Sequence, residues 1–160
     1  MQRTIIVPLS DNEEYEEAII VHERCLAGRM NVLQEDHQNT VESLNNLGSV
    51  YAGLKKYEKT LEYYERALNG NEKLLGKNHT STLMTLENIA VINMYLKNFG
   101  KAEELYQTAL EGYEGQLGKD HKNTMKCARL FRNSLATSGN EEERLLALTT
   151  AYPWLNEDDA

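Results

Sequence analysis

The chain has 160 residues, of which 41% are hydrophobic and 26% charged, and its formal net charge is −8 at pH 7. These values exclude a disordered or membrane-spanning chain, and the negative charge argues against nucleic acid or an anionic membrane as the partner. The two cysteines are too few for a disulfide scaffold, and the opening MQRTIIVPLS is too short for a signal peptide, so a cytoplasmic location is expected.

A long interior without proline, rich in Leu, Glu, Lys, Ala and Asn, separates Pro8 from Pro153 and predicts an all-α fold. The chain matches itself at an offset of 42 residues, which is the mark of a repeat array. The following sets of residues coincide at that offset: Leu26, Leu68 and Leu110; Leu33, Leu75 and Leu117; Cys25, Ala67 and Ala109; Gly48 and Ala90.

Each repeat contains two amphipathic stretches joined by a tight turn, GLKK in one repeat and LKNF in the next, and therefore predicts an antiparallel helix hairpin. Gly76 and Gly118 follow the second helix, where a helix stop favours glycine. The small residues at Gly48 and Ala67 are expected to let the two backbones approach closely. We expect about seven helices.

In chain order the pattern divides the sequence into six parts. They are an N-terminal segment (1–11), the unpaired second helix of a partial repeat (12–34), a first repeat (35–76), a second repeat (77–118), a degenerate capping repeat (119–151) and an acidic tail (152–160).

A His-x-x-Thr motif recurs once per repeat, at His37, His79 and His121. Residues of strong N-cap type come directly before these histidines, so the motif is expected to form the first turn of each first helix. The caps predicted in this way are Asp36, Asn78 and Asp120. Successive histidines lie too far apart to share a metal ion, which favours an architectural role. Cys25 and Cys127 are expected to be core residues.

The helix hairpins and the 42-residue period, with linkers such as ALNGNEKLLGKNHTST, resemble tetratricopeptide repeats of the kinesin light chain type, which also occur in fungal signal-transducing sensor proteins. The resemblance covers roughly residues 12 to 139 and implies a right-handed α-solenoid with a concave peptide-binding face. The family usually has proline after the histidine, where this chain has Gln38, Thr80 and Lys122.

The resemblance also implies which first-helix residues line the groove. Mid-helix asparagines in it would pair with a peptide backbone, and two cations on the third unit would accept an acidic end. The implied groove residues are Asn45, Asn46, Ser49, Met84, Glu87, Asn88, Val91, Tyr95, Lys126, Arg129 and Asn133. The alternative is that these are ordinary solvated residues on helix faces.

The tail carries the chain's single tryptophan beside acidic residues, and kinesin light chain arrays as a family bind peptides of that kind. A self-docking tail is therefore a hypothesis, against the alternative that the tryptophan packs on the last helix. Its residues are Trp154, Glu157, Asp158 and Asp159.

Two functional interpretations remain open on the sequence. The first is a non-catalytic module that binds a protein or peptide segment. The second is a self-associating assembly or sensor segment of a larger signalling protein, in which homo-oligomers form through the exposed solenoid end or the tail. An enzyme is not expected, because the sequence has no glycine-rich phosphate loop, no nucleophile elbow and no metal-ligand spacing, and no cofactor is implied.

Overall fold

The computed structural model describes residues 11–33, 37–138, 142–153 and 155. Every regular element in these ranges is a helix, which confirms the all-α prediction. The seven helices are α1 (Asp11–Val32), α2 (Gln38–Gly53), α3 (Tyr57–Leu75), α4 (Thr80–Tyr95), α5 (Phe99–Leu117), α6 (Lys122–Ser138) and α7 (Glu142–Ala151).

The helices form a solenoid in which each one packs mainly against its neighbours in the chain. Packing is most extensive within the pairs α2–α3 and α4–α5, and it continues from α1 to α2, from α3 to α4 and from α5 through α6 to α7. We call α2, α4 and α6 the A helices and α1, α3, α5 and α7 the B helices. The buried side chains between successive pairs form the hydrophobic core.

The turns inside the two hairpins are closed by the same backbone arrangement. Lys55 and Lys97 follow α2 and α4 with φ of 57° and 61°, the left-handed conformation that ends many helices. The amide of Lys56 donates to the carbonyl of Tyr51 at 3.0 Å, which is the six-to-one bond of a Schellman motif. A three-residue turn therefore reverses the chain and fixes each A helix antiparallel to its B helix.

Glycines end the B helices, as the sequence predicts. Gly76 and Gly118 have φ of 89° and 83° with ψ of 162° and 167°, a region open almost only to glycine. Their amides donate to the carbonyls of Glu72 and Glu114 at 3.0 Å. The chain thus leaves each hairpin in an extended direction and can start the next A helix.

The predicted N-caps are corrected by the structure. His37 and His79 themselves are the N-cap residues of α2 and α4, not the residues before them. Each imidazole Nδ1 accepts the backbone N–H two residues later at 3.2 Å, and His121 makes the same bond at α6. The ring nitrogen therefore accepts the hydrogen bond that was expected to go to an Asp or Asn side-chain oxygen. Of the residues predicted as caps, Asp36 lies outside the described residues.

The threonine of the motif ties the linker to the new helix. The hydroxyls of Thr82 and Thr124 donate to the carbonyls of Gly76 and Gly118 at 2.8 Å. Cap and hydroxyl together fix the angle between one hairpin and the next. The motif is architectural, as the sequence indicates.

Close approach within the hairpins depends on small residues. A Cβ atom at Gly48 would lie 2.5 Å from the ring of Tyr64, and Ala67 is fully buried beside it. The cysteine prediction is half right: Cys127 is fully buried, whereas Cys25 is exposed because no described element covers that side of α1.

Two residues that follow α7 are buried against the last hairpin. Tyr152 and Leu155 are buried in the core shared by α4, α5, α6 and α7. Arg132 stands where the earlier repeats have Gly48 and Ala90, and its guanidinium donates to the carbonyl of Leu155. The proposed docking residues Trp154, Glu157, Asp158 and Asp159 lie outside the described residues.

Candidate functional site

A groove of about 440 Å³ runs between the A helices α2 and α4. It brings together five of the sequence-predicted groove residues: Asn45, Asn46, Ser49, Met84 and Asn88. The remaining lining residues are Gln38, Val41, Glu42, Asn71, Ser81 and Thr85. A mixed polar and apolar lining of this kind suits an extended chain more than a compact charged ligand.

The floor of the groove is a hydrogen-bonded chain of side chains. Asn71 Nδ2 donates to Thr85 Oγ1 at 3.2 Å, and that hydroxyl lies 3.4 Å from Asn45 Oδ1. Ser49 and Tyr64 share a hydroxyl–hydroxyl bond of 3.0 Å. These groups are used internally and hold the lining in place.

The side-chain amides of Asn46 and Asn88 also line the groove but take no part in this hydrogen-bonded floor. Within the described part of the chain neither side chain has a hydrogen-bond partner, and Asn46 is exposed while Asn88 is half-buried. Each amide offers a donor and an acceptor. The two lie 42 residues apart, at the same position of successive A helices.

A second pocket of about 320 Å³ adjoins the groove at Asn88, which lines both. Its walls are mostly aromatic and aliphatic, and Tyr57 stacks on Tyr95 with 5.3 Å between ring centroids. The other lining residues are Ala52, Gly53, Lys55, Tyr64, Val91 and Ile92. We call this space the tyrosine pocket; it contains the predicted residues Val91 and Tyr95.

A third pocket, of about 340 Å³, lies on α6 and contains the predicted cations Lys126 and Arg129, with Lys122, Met125 and Leu130. The charge of Lys126 is partly used, because its ammonium lies 2.5 Å from a carboxylate oxygen of Glu87. The structure places Glu87 below the surface, with its side chain 3% exposed. Asn133 is exposed and lines none of these three pockets; its Oδ1 accepts from Arg132.

The buried carboxylate affects its neighbours. Burial raises the pKa of the Tyr106 and Tyr113 phenols and of the Cys127 thiol, and the negative charge of Glu87 raises all three further. These groups stay protonated near neutral pH. They stabilise the core and offer no activated nucleophile.

The described ranges contain neither a cluster of metal-ligating side chains nor a helix that could span a membrane. No group of three or more His, Cys, Asp or Glu side chains converges there as a metal site would require. None of the described helices is long and apolar enough to span a bilayer.

The comparison with protein families decides the assignment. The tetratricopeptide repeat model matches residues 9–73 and, in a second overlapping alignment, residues 43–114. The chain belongs to the tetratricopeptide repeat family. Repeats of this family generally act as protein–protein interaction modules and are typically non-catalytic scaffolds. No curated protein matches the sequence.

Solved tetratricopeptide structures show the same fold at low sequence identity. One is a Podosopora anserina protein described as a kinesin light chain with nearly identical TPR-like repeats, 18% identical, with a TM-score of 0.74 over 88% of this chain and 69% of that one. A second is BtubC (BKLC) from P. vanneervenii, 16% identical, with a TM-score of 0.79 over 91% of this chain and 58% of that one. The predicted resemblance to kinesin light chain repeats is therefore confirmed at the level of fold.

Two residues of the tyrosine pocket, Tyr57 and Tyr64, are absent from the sequence-based groove. Both lie on a B helix, and the resemblance directs attention to A helices only. Phe99 and Tyr106 take the same positions in the next repeat, a recurrence that indicates core packing. The sequence therefore gives no sign that Tyr57 also lines a pocket.

Proposed function

We propose that this protein is a non-catalytic module that binds an extended protein or peptide segment along the groove between α2 and α4. The observation that carries the proposal is the pair of unpartnered amides, Asn46 and Asn88, on equivalent positions of successive A helices. Mid-helix asparagine is a poor helix former, so two at one repeat position favour a role outside folding. The proposal includes a cytoplasmic location, consistent with two free thiols.

The mode of binding follows from what surrounds the amides. The two side chains would clamp the peptide main chain as donor and acceptor, and the tyrosine pocket would take an apolar side chain. Toward α6, the cations Lys122, Lys126 and Arg129 favour an acidic residue of the peptide, and Lys126 also contacts the carboxylate of Glu87. The preorganised floor lowers the entropy lost on binding.

Selection from a displayed library of random 16-residue peptides tests this proposal. Peptides enriched on the native protein are measured again against the double variant Asn46→Ala/Asn88→Ala and against Asn69→Ala, an exposed asparagine on α3 outside the groove. Loss of at least about tenfold in affinity is expected for the double variant alone, about 1.4 kcal/mol. Equal affinity for all three proteins, or no enrichment on the native protein, contradicts the proposal.

A second candidate, self-association as an assembly or sensor segment, is favoured by one observation. Ile20, Val21 and Val32 on α1 are exposed by 58%, 65% and 79%. Sedimentation over a concentration range, with the full chain and with residues 156–160 removed, tests both the solenoid end and the acidic residues of the tail. The cut follows Leu155 because that side chain is buried in the core. A single species of about 18 kDa at every concentration contradicts self-association.

A further inference from the structure

One position of the A helices carries a different kind of side chain in each repeat. Glu42 on α2, Met84 on α4 and Lys126 on α6 lie 42 residues apart and therefore take the same place in successive repeats. Glu42 and Met84 line the groove, Lys126 lines the pocket on α6, and all three are exposed. We call these three residues the graded row, because along the array they pass from acidic through apolar to basic.

The asparagines beside the graded row are, by contrast, identical. Each of them, Asn46 or Asn88, follows the row member of its own helix by four residues, so the two sets lie side by side on one helix face. In the proposed complex the asparagines bind the peptide main chain, which is the same for every sequence. The graded row lies next to that main chain and differs in each repeat, as positions that contact peptide side chains should.

Glu42 supplies negative charge at the α2 end of the groove. Among the described residues that line the groove it is the one that carries a charge. Its carboxylate accepts a hydrogen bond from Gln38 Nε2 at 3.1 Å, and no cation in the described ranges pairs with it. A surface carboxylate held in this way attracts a lysine or arginine side chain of a bound segment.

Met84 supplies an apolar surface in the middle of the row. Its side chain is 47% exposed, so a large part of it is free to contact a ligand. The thioether side chain is flexible and polarisable, and it adapts to apolar groups of different shapes. This position therefore favours an apolar residue of the bound segment.

Lys126 supplies positive charge at the α6 end, together with Lys122 and Arg129. Its side chain is 63% exposed, although its ammonium contacts the carboxylate of Glu87. An ammonium has three donors, so this contact leaves it able to bind a second carboxylate. The α6 end of the row therefore favours an acidic residue.

The distance between row members sets a spacing in the ligand. Side chains of α2 and α4 meet, since Thr85 Oγ1 lies 3.4 Å from Asn45 Oδ1. Side chains of α4 and α6 meet in the same way at the ion pair between Lys126 and Glu87. Helices in such contact have axes about 10 Å apart. An extended chain advances about 3.3 Å per residue, so neighbouring row members face residues about three positions apart.

We propose that the groove selects extended segments of a partner polypeptide in which a basic, an apolar and an acidic residue follow one another at intervals of about three residues. The basic residue lies at Glu42, the apolar residue at Met84 and the acidic residue at Lys126. This inference rests on the proposed function and deepens it, because it fixes the register of the segment. A shift by one interval toward α6 would bring the basic residue to Met84 and lose both charge contacts.

Selection from the displayed library of random 16-residue peptides, on four forms of the full chain, tests the register. The four are the native protein and the variants Glu42→Lys, Lys126→Gln and Glu111→Lys. On the native protein we expect enriched peptides to share a basic, an apolar and an acidic position spaced by about three residues. Glu42→Lys is expected to replace the basic preference by an acidic one, and Lys126→Gln to weaken the acidic preference at the other end.

Glu111→Lys is the matched control. Glu111 is an exposed glutamate on α5 whose carboxylate accepts a hydrogen bond from Gln107 four residues earlier, as that of Glu42 does from Gln38. Both glutamate-to-lysine substitutions change the net charge of −8 by the same amount, so an effect of overall charge appears equally in the two variants. We expect Glu111→Lys to enrich the same peptides as the native protein. Circular dichroism checks that every variant is folded.

One enriched peptide, synthesised in two forms, gives the size of the effect. Replacing its basic residue by glutamate is expected to weaken binding to the native protein about three- to tenfold, a modest change because Glu42 is exposed. The same replacement is expected to tighten binding to Glu42→Lys by a similar factor. The four affinities form a double-mutant cycle that isolates the contact between Glu42 and the basic residue.

Four results would overturn the inference. Enriched peptides without a shared charge pattern do so; if they lose affinity for Asn46→Ala/Asn88→Ala, the proposed groove stands and only the register fails. A basic preference that Glu42→Lys retains does so as well. Shared positions about seven residues apart would indicate a helical ligand, which advances 1.5 Å per residue. Absence of any enrichment on the native protein contradicts the proposed function itself, and the register with it.

Discussion

At the scale of single residues, histidine acts here as a helix cap. The Nδ1 atoms of His37, His79 and His121 each accept a backbone N–H at 3.2 Å, and no described group of ligands surrounds them. Sequence reasoning favours the preceding Asp or Asn, because caps are ranked by residue type. The motif is recognisable from sequence, whereas the atom that accepts the bond depends on backbone angles that the sequence does not display.

Removing one of these acceptors should cost stability. We expect His79→Ala to lower the free energy of unfolding by about 1 kcal/mol, and His79→Asn to restore most of it, because the amide oxygen can accept the same N–H. Urea denaturation measures both, with Lys77→Ala at an exposed neighbouring position as control. Equal losses for Ala and Asn would show that the ring contributes through packing and not as an acceptor.

The two cysteines should differ sharply in reactivity. Burial raises the pKa of the Cys127 thiol, and the carboxylate of Glu87 raises it further, so the reactive thiolate is scarce. Cys25 is exposed. At pH 8 we expect iodoacetamide to modify Cys25 in the native protein and Cys127 only after denaturation, as measured by mass spectrometry. The variant Cys25→Ser is the control and should take up no label while folded; native labelling of that variant contradicts the structure.

At the scale of helices, glycine has opposite effects in different places. Gly48 lies where α2 approaches α3, and a Cβ atom there would overlap the buried ring of Tyr64 at 2.5 Å. Gly115 on α5 has open space around it. The 42-residue match predicts a close approach at Gly48, because Ala90 takes the same place in the next repeat.

Alanine substitution at the two glycines should therefore move stability in opposite directions. We expect Gly48→Ala to lower the free energy of unfolding by about 1–3 kcal/mol through overpacking. Gly115→Ala should raise it by about 0.5–1 kcal/mol, because alanine is the better helix former and meets no neighbour. Thermal and urea unfolding of the two variants give both values. A stabilised Gly48→Ala would mean that the hairpin helices lie further apart than the structure shows.

The helices and their order were predictable because they depend on local patterns that recur three times. The burial of individual side chains was harder to predict, because it depends on which neighbouring helix is present. Cys25 matches the buried Ala67 in sequence and is exposed, because α1 has no described A helix of its own. Glu87 has a groove position in the sequence but is buried in the structure, where Lys126 of the next repeat pairs with its carboxylate.

At the scale of the whole molecule, the solenoid buries several tyrosine side chains wholly or in part. Burial raises the pKa of Tyr51, Tyr63, Tyr64, Tyr106 and Tyr113 above the ordinary value of 10.0. For Tyr51 the hydrogen bond of 2.8 Å to Glu23 acts in the same direction. The folded array therefore holds these groups protonated at pH values where the unfolded chain would release their protons.

This difference predicts a loss of stability in alkaline solution. A group whose pKa is raised in the folded state contributes stability that is present below its unfolded pKa and is lost as pH rises above it. We expect the free energy of unfolding to change little between pH 7 and 8, to fall as the Cys127 thiol of the unfolded chain ionises above about 8.5, and to fall faster above about 10. Urea titrations at intervals of 0.5 pH unit measure the curve.

One phenol can be removed to check the cause. Tyr113→Phe takes away a fully buried hydroxyl and should make the decline between pH 10 and 11 shallower, by at most about 1.4 kcal/mol per pH unit, the contribution of one proton. The stability of each protein at pH 7 is the reference for its own curve, so a general loss of packing in the variant does not affect the slope. A slope equal to that of the native protein would mean that Tyr113 does not contribute to the alkaline loss, and that the buried thiol and the other phenols account for it.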